Sequence, residues 1–125
     1  MSKQIYYKEL SDQIIGIAFK VHAKLGCYLP EHVYERSMVY EFDKQNIPCV
    51  HQQKLEVSYY NDQPVGHFFT DIVVDNKIIL ELKSADKITQ NHFAQLYTYL
   101  RIAKIKVGYI LNFGTRHLQF KRLIL

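Results

Sequence analysis

The sequence lacks the long apolar runs that mark membrane-spanning and secreted proteins. Its first ten residues, MSKQIYYKEL, contain no continuous apolar stretch, and no later segment approaches the roughly 18 apolar residues that a membrane helix needs. No repeat, low-complexity tract or Gly/Ser-rich linker divides the chain. A length of 125 residues with 48% hydrophobic content is enough for one core and too short for two. We therefore expect residues 1–125 to form a single soluble, cytoplasmic domain without a membrane span.

Cysteine is also scarce. Cys27 and Cys49 lie in different segments, with no CxxC spacing and no nearby His-x-x-His, and the six histidines are scattered without metal-ligand spacing. This pattern argues against a zinc site and against a disulfide framework. We expect both thiols to be reduced and partly buried.

Acidic residues are absent from residues 101–125, whereas the whole chain has a net charge of +4 and a pI near 9.0. A basic segment on a small domain can face phosphates, so it is compatible with a nucleic-acid partner. An ordinary solvated surface gives the same composition. The candidate nucleic-acid contacts in this segment are Arg101, Lys104, Lys121 and Arg122.

Hydrophobic periodicity predicts the order helix, helix, three strands, helix, two strands. Gly26 is placed to end the first helix, and Pro30 suits the first turn of the second helix. This order predicts the α/β class, with an α+β mixed sheet packed by helices. The predicted helices cover residues 9–25, 30–46 and 88–103, and the predicted strands cover residues 54–60, 65–74, 77–84, 106–113 and 117–123.

The segment KIILELK, residues 77–83, is the most informative part of the chain. Apolar residues occur on both of its faces, which is the pattern of an interior strand, yet Glu81 and Lys83 project from one face two residues apart. Burying such groups without partners costs several kcal/mol each. We therefore expect them to face a site or a cleft.

Asp71 is the predicted partner of Glu81 across a hairpin. A three-residue loop, residues 75–77, pairs residue 73 with 79 and 71 with 81, which places the two acids on one face. Asn76 tolerates the left-handed conformation that such a loop favours. A two-residue loop puts Asp71 on the opposite face, and the sequence leaves both loops open.

Two converging carboxylates and a carbonyl, that of Leu82, form an oxygen-rich site that suits Mg²⁺ or Mn²⁺. Such a site can hydrolyse phosphodiesters, with Lys83 positioning the attacking water or stabilising the developing negative charge. The alternative is a surface ion pair between Glu81 and Lys83 on an edge strand, beside an unrelated, solvated Asp71.

Asp71, followed after nine residues by Glu81-Leu82-Lys83, resembles the signature of the PD-(D/E)XK nuclease superfamily, whose fold is that of restriction endonucleases. The order of predicted elements is similar as well. Thr70 replaces the proline that names the superfamily. The resemblance extends from about Leu10 to Leu123.

Two further segments, Tyr28-Leu-Pro-Glu31-His-Val-Tyr34-Glu35 and Gln95-Leu-Tyr-Thr-Tyr99, resemble the GxxExxY family within that superfamily. Tyr28 stands where the family motif has its glycine, although Gly26 lies close by.

This resemblance implies a role for each matching residue. Asp71 and Glu81 correspond to metal ligands, and Lys83 to the catalytic lysine. Glu31 corresponds to the acid of the first helix near the metal, and Gln95 to the helical glutamine beside the site. Tyr34 and Tyr99 correspond to motif tyrosines, and Tyr99 is a further candidate contact to nucleic acid.

The supporting residues also have ordinary interpretations. Glu31 suits the positive end of a helix dipole wherever that helix lies. Gln95, Tyr99 and His92 form a polar stripe that a solvated helix face would also produce.

The sequence therefore predicts a restriction-endonuclease-like enzyme that uses Mg²⁺ or Mn²⁺ to hydrolyse DNA or RNA. The alternative is a non-catalytic nucleic-acid-binding or protein-interaction module with the same fold. A homodimer is compatible with either function.

Overall fold

The computed structural model describes residues 6–125, so residues 1–5 of the segment MSKQIYYKEL lie outside the described part. The predicted order of elements is confirmed. The helices are α1 (Lys8–Leu25), α2 (Glu31–Lys44) and α3 (Gln90–Ala103), and the strands are β1 (Cys49–Tyr59), β2 (Gln63–Val74), β3 (Ile78–Lys83), β4 (Val107–Asn112) and β5 (Gln119–Ile124). None of the described helices combines the length and the apolar character needed to cross a bilayer.

The five strands form one mixed sheet in the order β1-β2-β3-β4-β5. β3 and β4 are parallel, with α3 as the crossover between them, and the other neighbouring pairs are antiparallel. β3 is the central strand, and five of its six residues are buried. The prediction of an interior strand carrying Glu81 is therefore confirmed.

The sheet separates two hydrophobic clusters. α1 and α2 pack on one face, against a cluster that includes Ile78, Leu80 and Leu82 of β3. α3 packs on the other face, against a cluster that includes Ile79. Successive strand residues point to opposite faces, and the predicted alternation along β3 is observed.

The helix ends follow from a few residues. Gly26 ends α1 with φ 74° and donates its backbone N–H to the His22 carbonyl. Pro30 is the N-cap of α2 and not part of its first turn as predicted, so Glu31 is the first helical residue. Thr89 begins α3 as its N-cap, because its side chain accepts a hydrogen bond from the His92 N–H.

The β1–β2 hairpin is longer than predicted, because β1 begins at Cys49 and not at Lys54. β1 pairs with β2 along almost its whole length, whereas β2 pairs with β3 only from Ile72 to Val74. Residues 54–70 therefore form a two-stranded arm that extends beyond the rest of the sheet. We call this segment the β1–β2 arm.

Both cysteines, Cys27 and Cys49, are free and partly buried, as expected.

Candidate active site

The turn between β2 and β3 sets the register of the site. Val74 pairs with Ile78 and Val73 with Ile79, which leaves the three-residue loop 75–77 between the strands. Asn76 has φ 55°, in the left-handed region as expected, and the preceding Asp75 has φ 50°. The prediction of a three-residue loop is confirmed, and the two-residue alternative is wrong.

The β2–β3 ladder stops at the pair Ile72–Leu80, and the two acids occupy the next positions. Asp71 accepts a hydrogen bond from the Leu82 N–H at its Oδ2 (2.8 Å), and Glu81 accepts a longer one from the Asp71 N–H at its Oε1 (3.3 Å). Each carboxylate thus accepts a hydrogen bond from the backbone of the opposite strand, at the point where the backbone hydrogen bonds between β2 and β3 end. The structure brings Asp71 and Glu81 together as predicted.

Glu81 is buried, with only 3% of its surface exposed. Its pKa is raised to about 9, chiefly by burial and also by the nearby charge of Asp71. Neither Glu81 nor Lys83 takes part in an ion pair within the described range 6–125. The alternative interpretation, a surface ion pair on an edge strand, is therefore wrong.

Lys83 lies at the end of β3 and contacts α3. Its Nζ donates a hydrogen bond to Gln95 Oε1 at 2.9 Å. His92 lies one turn before Gln95, and burial lowers its pKa, as does the charge of Lys83. His92 Nδ1 accepts a hydrogen bond from the Thr89 N–H at 3.1 Å, so the ring caps the N-terminus of α3. Gln95 is exposed, yet it holds the ammonium group of Lys83 in place.

Glu31 reaches the site from the start of α2. It lines a pocket of about 180 Å³ together with the two site residues Asp71 and Leu82. The pocket lies where β2 and β3 separate, under the first turns of α2. Glu31 therefore lies at the same pocket as Asp71.

Sequence reasoning assigned no role in the site to three residues of this pocket, His32, Glu35 and Gln52. Gln52 Nε2 donates to Glu35 Oε1 at 2.7 Å, and burial raises the pKa of Glu35, as does the charge of Asp71. The spacing of four residues between Glu31 and Glu35 places both on one helix face, and this signal was available. Nothing in the sequence around Gln52 indicated a place in the site.

A network behind Lys83 fixes the segment that follows it. Asn112 is fully buried, accepts hydrogen bonds from the N–H groups of Ala85 and Gly114, and donates to the Ala85 carbonyl. The Lys83 carbonyl accepts from the Phe113 N–H at 2.8 Å. A Cβ on Gly114 would overlap the backbone of Ala85. These contacts position the end of β3, and sequence reasoning missed them.

The donor atoms at the site suit a hard divalent cation. Two carboxylates converge, and the Leu82 carbonyl faces the same gap, because the N–H and C=O of one strand residue point to the same side. No group of three or more His, Cys, Asp or Glu side chains within residues 6–125 is placed to hold a metal ion. Mg²⁺ commonly uses one or two carboxylates and keeps several waters, so the oxygen donors fit it.

The basic residues among the predicted nucleic-acid contacts are not gathered around the acids. Arg101 and Lys104 lie on the last turn and C-cap of α3, about 9 and 14 Å along the helix axis beyond Gln95. Lys121 and Arg122 are neighbours on β5, so their side chains point to opposite faces of the sheet. The structure therefore divides the basic residues among different surfaces.

Two of these candidates have contacts of their own. Arg122 donates a hydrogen bond from Nη2 to the Tyr6 carbonyl at 2.9 Å. Tyr99 is only 6% exposed and its ring lies 5.6 Å from that of Phe68. Burial raises the pKa of Tyr99, and the charges of Glu81 and Asp71 raise it further, so Tyr99 lies beside the acids and not on an open surface.

The arrangement of elements and the carboxylate pair define a restriction-endonuclease-like domain. A sequence model of the PD-(D/E)XK nuclease superfamily matches residues 8–123. The chain therefore belongs to the PD-(D/E)XK nuclease superfamily, whose members generally use divalent metal ions and act on nucleic acid.

Among solved structures, the crystal structure of SSO0001 is similar in fold, with a TM-score of 0.58 and 16% sequence identity. The match covers 94% of this chain, but this chain spans only 57% of the length of SSO0001. At that identity the likeness concerns the fold alone. No curated protein matches the sequence at a significant level.

Proposed function

We propose that this protein is a metal-dependent nuclease that hydrolyses phosphodiester bonds of DNA or RNA. The observation that carries the proposal is the meeting of Asp71 and Glu81 where the β2–β3 ladder stops, with Lys83 two residues further along β3. Glu81 is buried beside the half-buried Asp71, an arrangement that lowers stability unless a cation or a hydrogen-bond donor offsets the charge, and such groups often belong to functional sites.

Asp71, Glu81 and the Leu82 carbonyl would hold Mg²⁺ or Mn²⁺. When bound, the ion would lower the pKa of a water molecule and offset negative charge on the phosphate. Glu81 has to release its proton before it can act as a ligand, because its pKa is raised to about 9.

The remaining roles belong to the residues around the acids. Lys83 would orient the attacking water or stabilise the charge that develops on the phosphate, and Gln95 holds its ammonium group. Glu31 would accept hydrogen bonds from water or substrate in the shared pocket. The hydroxyl group of Tyr99 would lie beside the acids, whereas the ring of Tyr99 is covered by other side chains, among them Phe68.

The GxxExxY family is the proposed subfamily, and the loop before Glu31 supports this assignment. Tyr28 has φ 71°, a conformation that glycine adopts without strain, which explains why a glycine suits this motif position. Tyr34 is fully buried and donates from its hydroxyl group to the Gly26 carbonyl at 2.6 Å. Its ring stacks on Phe113 at 4.4 Å. The motif tyrosine thus fixes the loop from which Glu31 begins.

We also propose that residues 1–125 act as one domain, that the protein works in the cytoplasm, and that Arg101, Lys104, Lys121 and Arg122 contribute at most general attraction to nucleic acid. Their separation on the surface argues against one shared binding patch.

The test is cleavage of single-stranded, double-stranded and junction-containing DNA and RNA with Mg²⁺ or Mn²⁺. Asp71→Asn and Lys83→Met should abolish cleavage while circular dichroism and the unfolding midpoint stay near those of the wild type. The matched controls are Asp75→Asn and Lys77→Met, which change the same residue types at the other end of the same hairpin.

Absence of cleavage on every substrate with either metal would contradict the enzyme and support the alternative, a non-catalytic module. Such a module would bind nucleic acid with steep salt dependence and with no sensitivity to a chelator. Equal loss of cleavage in the control variants would contradict the assignment of the site.

A further inference from the structure

The β1–β2 arm leaves the sheet directly beside the candidate active site. Asp71 is the last residue of β2 before the pairing with β3 begins, and residues 63–69 on its outer side are all exposed. A nucleic-acid strand that leaves the site along β2, towards residue 63, would therefore contact the β1–β2 arm.

Side chains of β2 alternate between two sides of the arm. Thr70 is fully buried and Phe68 lies against the ring of Tyr99, so these two point inward. His67, Phe69 and Asp71 occupy the alternate positions and point outward. The rings of His67 and Phe69 are 5.4 Å apart and perpendicular, which agrees with a shared side.

The outward side carries an exposed aromatic ring with a lysine beside it, and also one exposed acid, Glu56, which pairs across the hairpin with His67. Phe69 is 48% exposed and pairs across the hairpin with Lys54, which is also exposed. Phe69 is two residues from Asp71, about 7 Å along the strand. Exposed aromatic rings next to cationic side chains are the usual means by which proteins bind unpaired nucleotides.

We propose that the outward side of the β1–β2 arm, formed by Lys54, His67 and Phe69, binds an unpaired strand of the nucleic-acid substrate next to the acids. Phe69 stacks on a base and Lys54 contacts a phosphate. This inference rests on the proposed function and extends it, because it assigns the substrate class: nucleic acid with unpaired bases at the cleavage site. A duplex keeps its bases stacked on one another and offers no free base to the ring.

The sequence contains no tryptophan, which allows a direct test. Phe69→Trp introduces a sole tryptophan at the proposed stacking position. The matched control is Tyr60→Trp at the tip of the arm, where Tyr60 is 79% exposed. The tip lies about 26 Å from Asp71, since Gln63, the first residue of β2, is eight positions before Asp71.

The probes are a single-stranded oligo(dT) of about 20 nucleotides and a duplex of the same length, added in EDTA so that no cleavage occurs. Oligo(dT) should quench the tryptophan fluorescence of Phe69→Trp and leave that of Tyr60→Trp unchanged, and the duplex should quench neither. Phe69→Ala should weaken oligo(dT) binding about tenfold. Lys54→Met should reduce the salt dependence of binding by about one phosphate contact.

Three results would overturn the inference: no binding of oligo(dT) by the wild type, equal quenching in Phe69→Trp and Tyr60→Trp, or unchanged affinity in Phe69→Ala. Light scattering provides a further discriminating result. If Phe69→Ala changes the oligomeric mass and leaves oligo(dT) binding intact, the arm is a contact between copies of the chain, and the inference is wrong.

The two proposals fail in different experiments. Binding in EDTA with quenching of Phe69→Trp, but no cleavage with any metal, would contradict the nuclease and keep the strand-binding arm. Metal-dependent cleavage that Phe69→Ala leaves unchanged on single-stranded and junction substrates would contradict the arm and keep the nuclease.

Discussion

Charged side chains lie at both ends of the β2–β3 hairpin, but in different environments. At the turn, Asp75 and Lys77 form an exposed ion pair at 3.0 Å. At the other end, Asp71 and Glu81 meet without such a pair, and Glu81 is almost fully buried. The turn needs polar groups only for its geometry and solvation. The other end retains Glu81 where burial disfavours its charged form, which is the reason to assign function to that end.

The largest expected difference between the two ends is the pH dependence of stability. The pKa of Glu81 is raised to about 9 in the folded protein from an ordinary value near 4.5. The folded state therefore keeps a proton that the unfolded chain loses. This contribution to stability is complete below about pH 4.5 and is lost as the pH rises towards 9, by at most about 1.4 kcal/mol per pH unit.

Urea unfolding in a chelator, measured at several values of pH, checks this dependence. Glu81→Gln should flatten the curve and make the protein more stable than the wild type near pH 9. Asp75→Asn should leave the slope unchanged. A wild-type curve without a decline across this range would contradict the buried environment of Glu81.

The second largest effect is expected at Gly114, which packs against the segment that follows β3. Gly114→Ala should lower the free energy of unfolding by about 3 kcal/mol, because the added Cβ overlaps the backbone of Ala85 behind Lys83. Gly66→Ala is the control, since no atom lies within 4 Å of a Cβ at that position. Denaturant unfolding of both variants gives the comparison, and equal stabilities would count against the close packing at Gly114.

A smaller effect is expected where α3 holds Lys83. Gln95→Ala removes the hydrogen bond to the Lys83 ammonium and should reduce metal-dependent cleavage about tenfold, which corresponds to the value of one such bond. Gln90→Ala, an exposed change on the same helix, should keep the wild-type rate. Single-turnover assays with saturating metal compare the cleavage rates of the two variants. An unchanged rate in Gln95→Ala would mean that Gln95 has no role in positioning Lys83.

The smallest effect belongs to the turn. Replacing Asp75 by Asn, or Lys77 by Met, should change the free energy of unfolding by less than about 0.5 kcal/mol, because an exposed ion pair contributes little. Thermal unfolding at low and high salt checks this value. A decrease of 2 kcal/mol or more in the free energy of unfolding would contradict this, because the turn would then contribute strongly to the stability of the hairpin.

The register of this hairpin was predictable because local chemistry determines it. The polar residues at positions 75–77 allowed only two loop lengths, and one of them brought Asp71 to Glu81. The order of helices and strands was predictable for a similar reason, since each element carries its own hydrophobic period.

The features that were missed depend on contacts between distant segments. Gln52 has φ 53° within a strand whose exposed residues do not alternate, so no local pattern marked it as a neighbour of Glu35. Tyr99 was assigned to a polar helix face, but the β1–β2 arm covers its ring with Phe68. Charge composition grouped Lys121 with Arg122, whereas strand alternation separates their side chains.

Our main proposal is that Asp71 and Glu81 together hold a divalent cation. A crystal soaked in Mn²⁺ tests it most directly, because the anomalous signal locates the ion independently of any assay of activity. We expect a peak between the Asp71 and Glu81 carboxylates, within coordination distance of the Leu82 carbonyl. No peak at this position, or carboxylates that point away from each other in the soaked crystal, would contradict it.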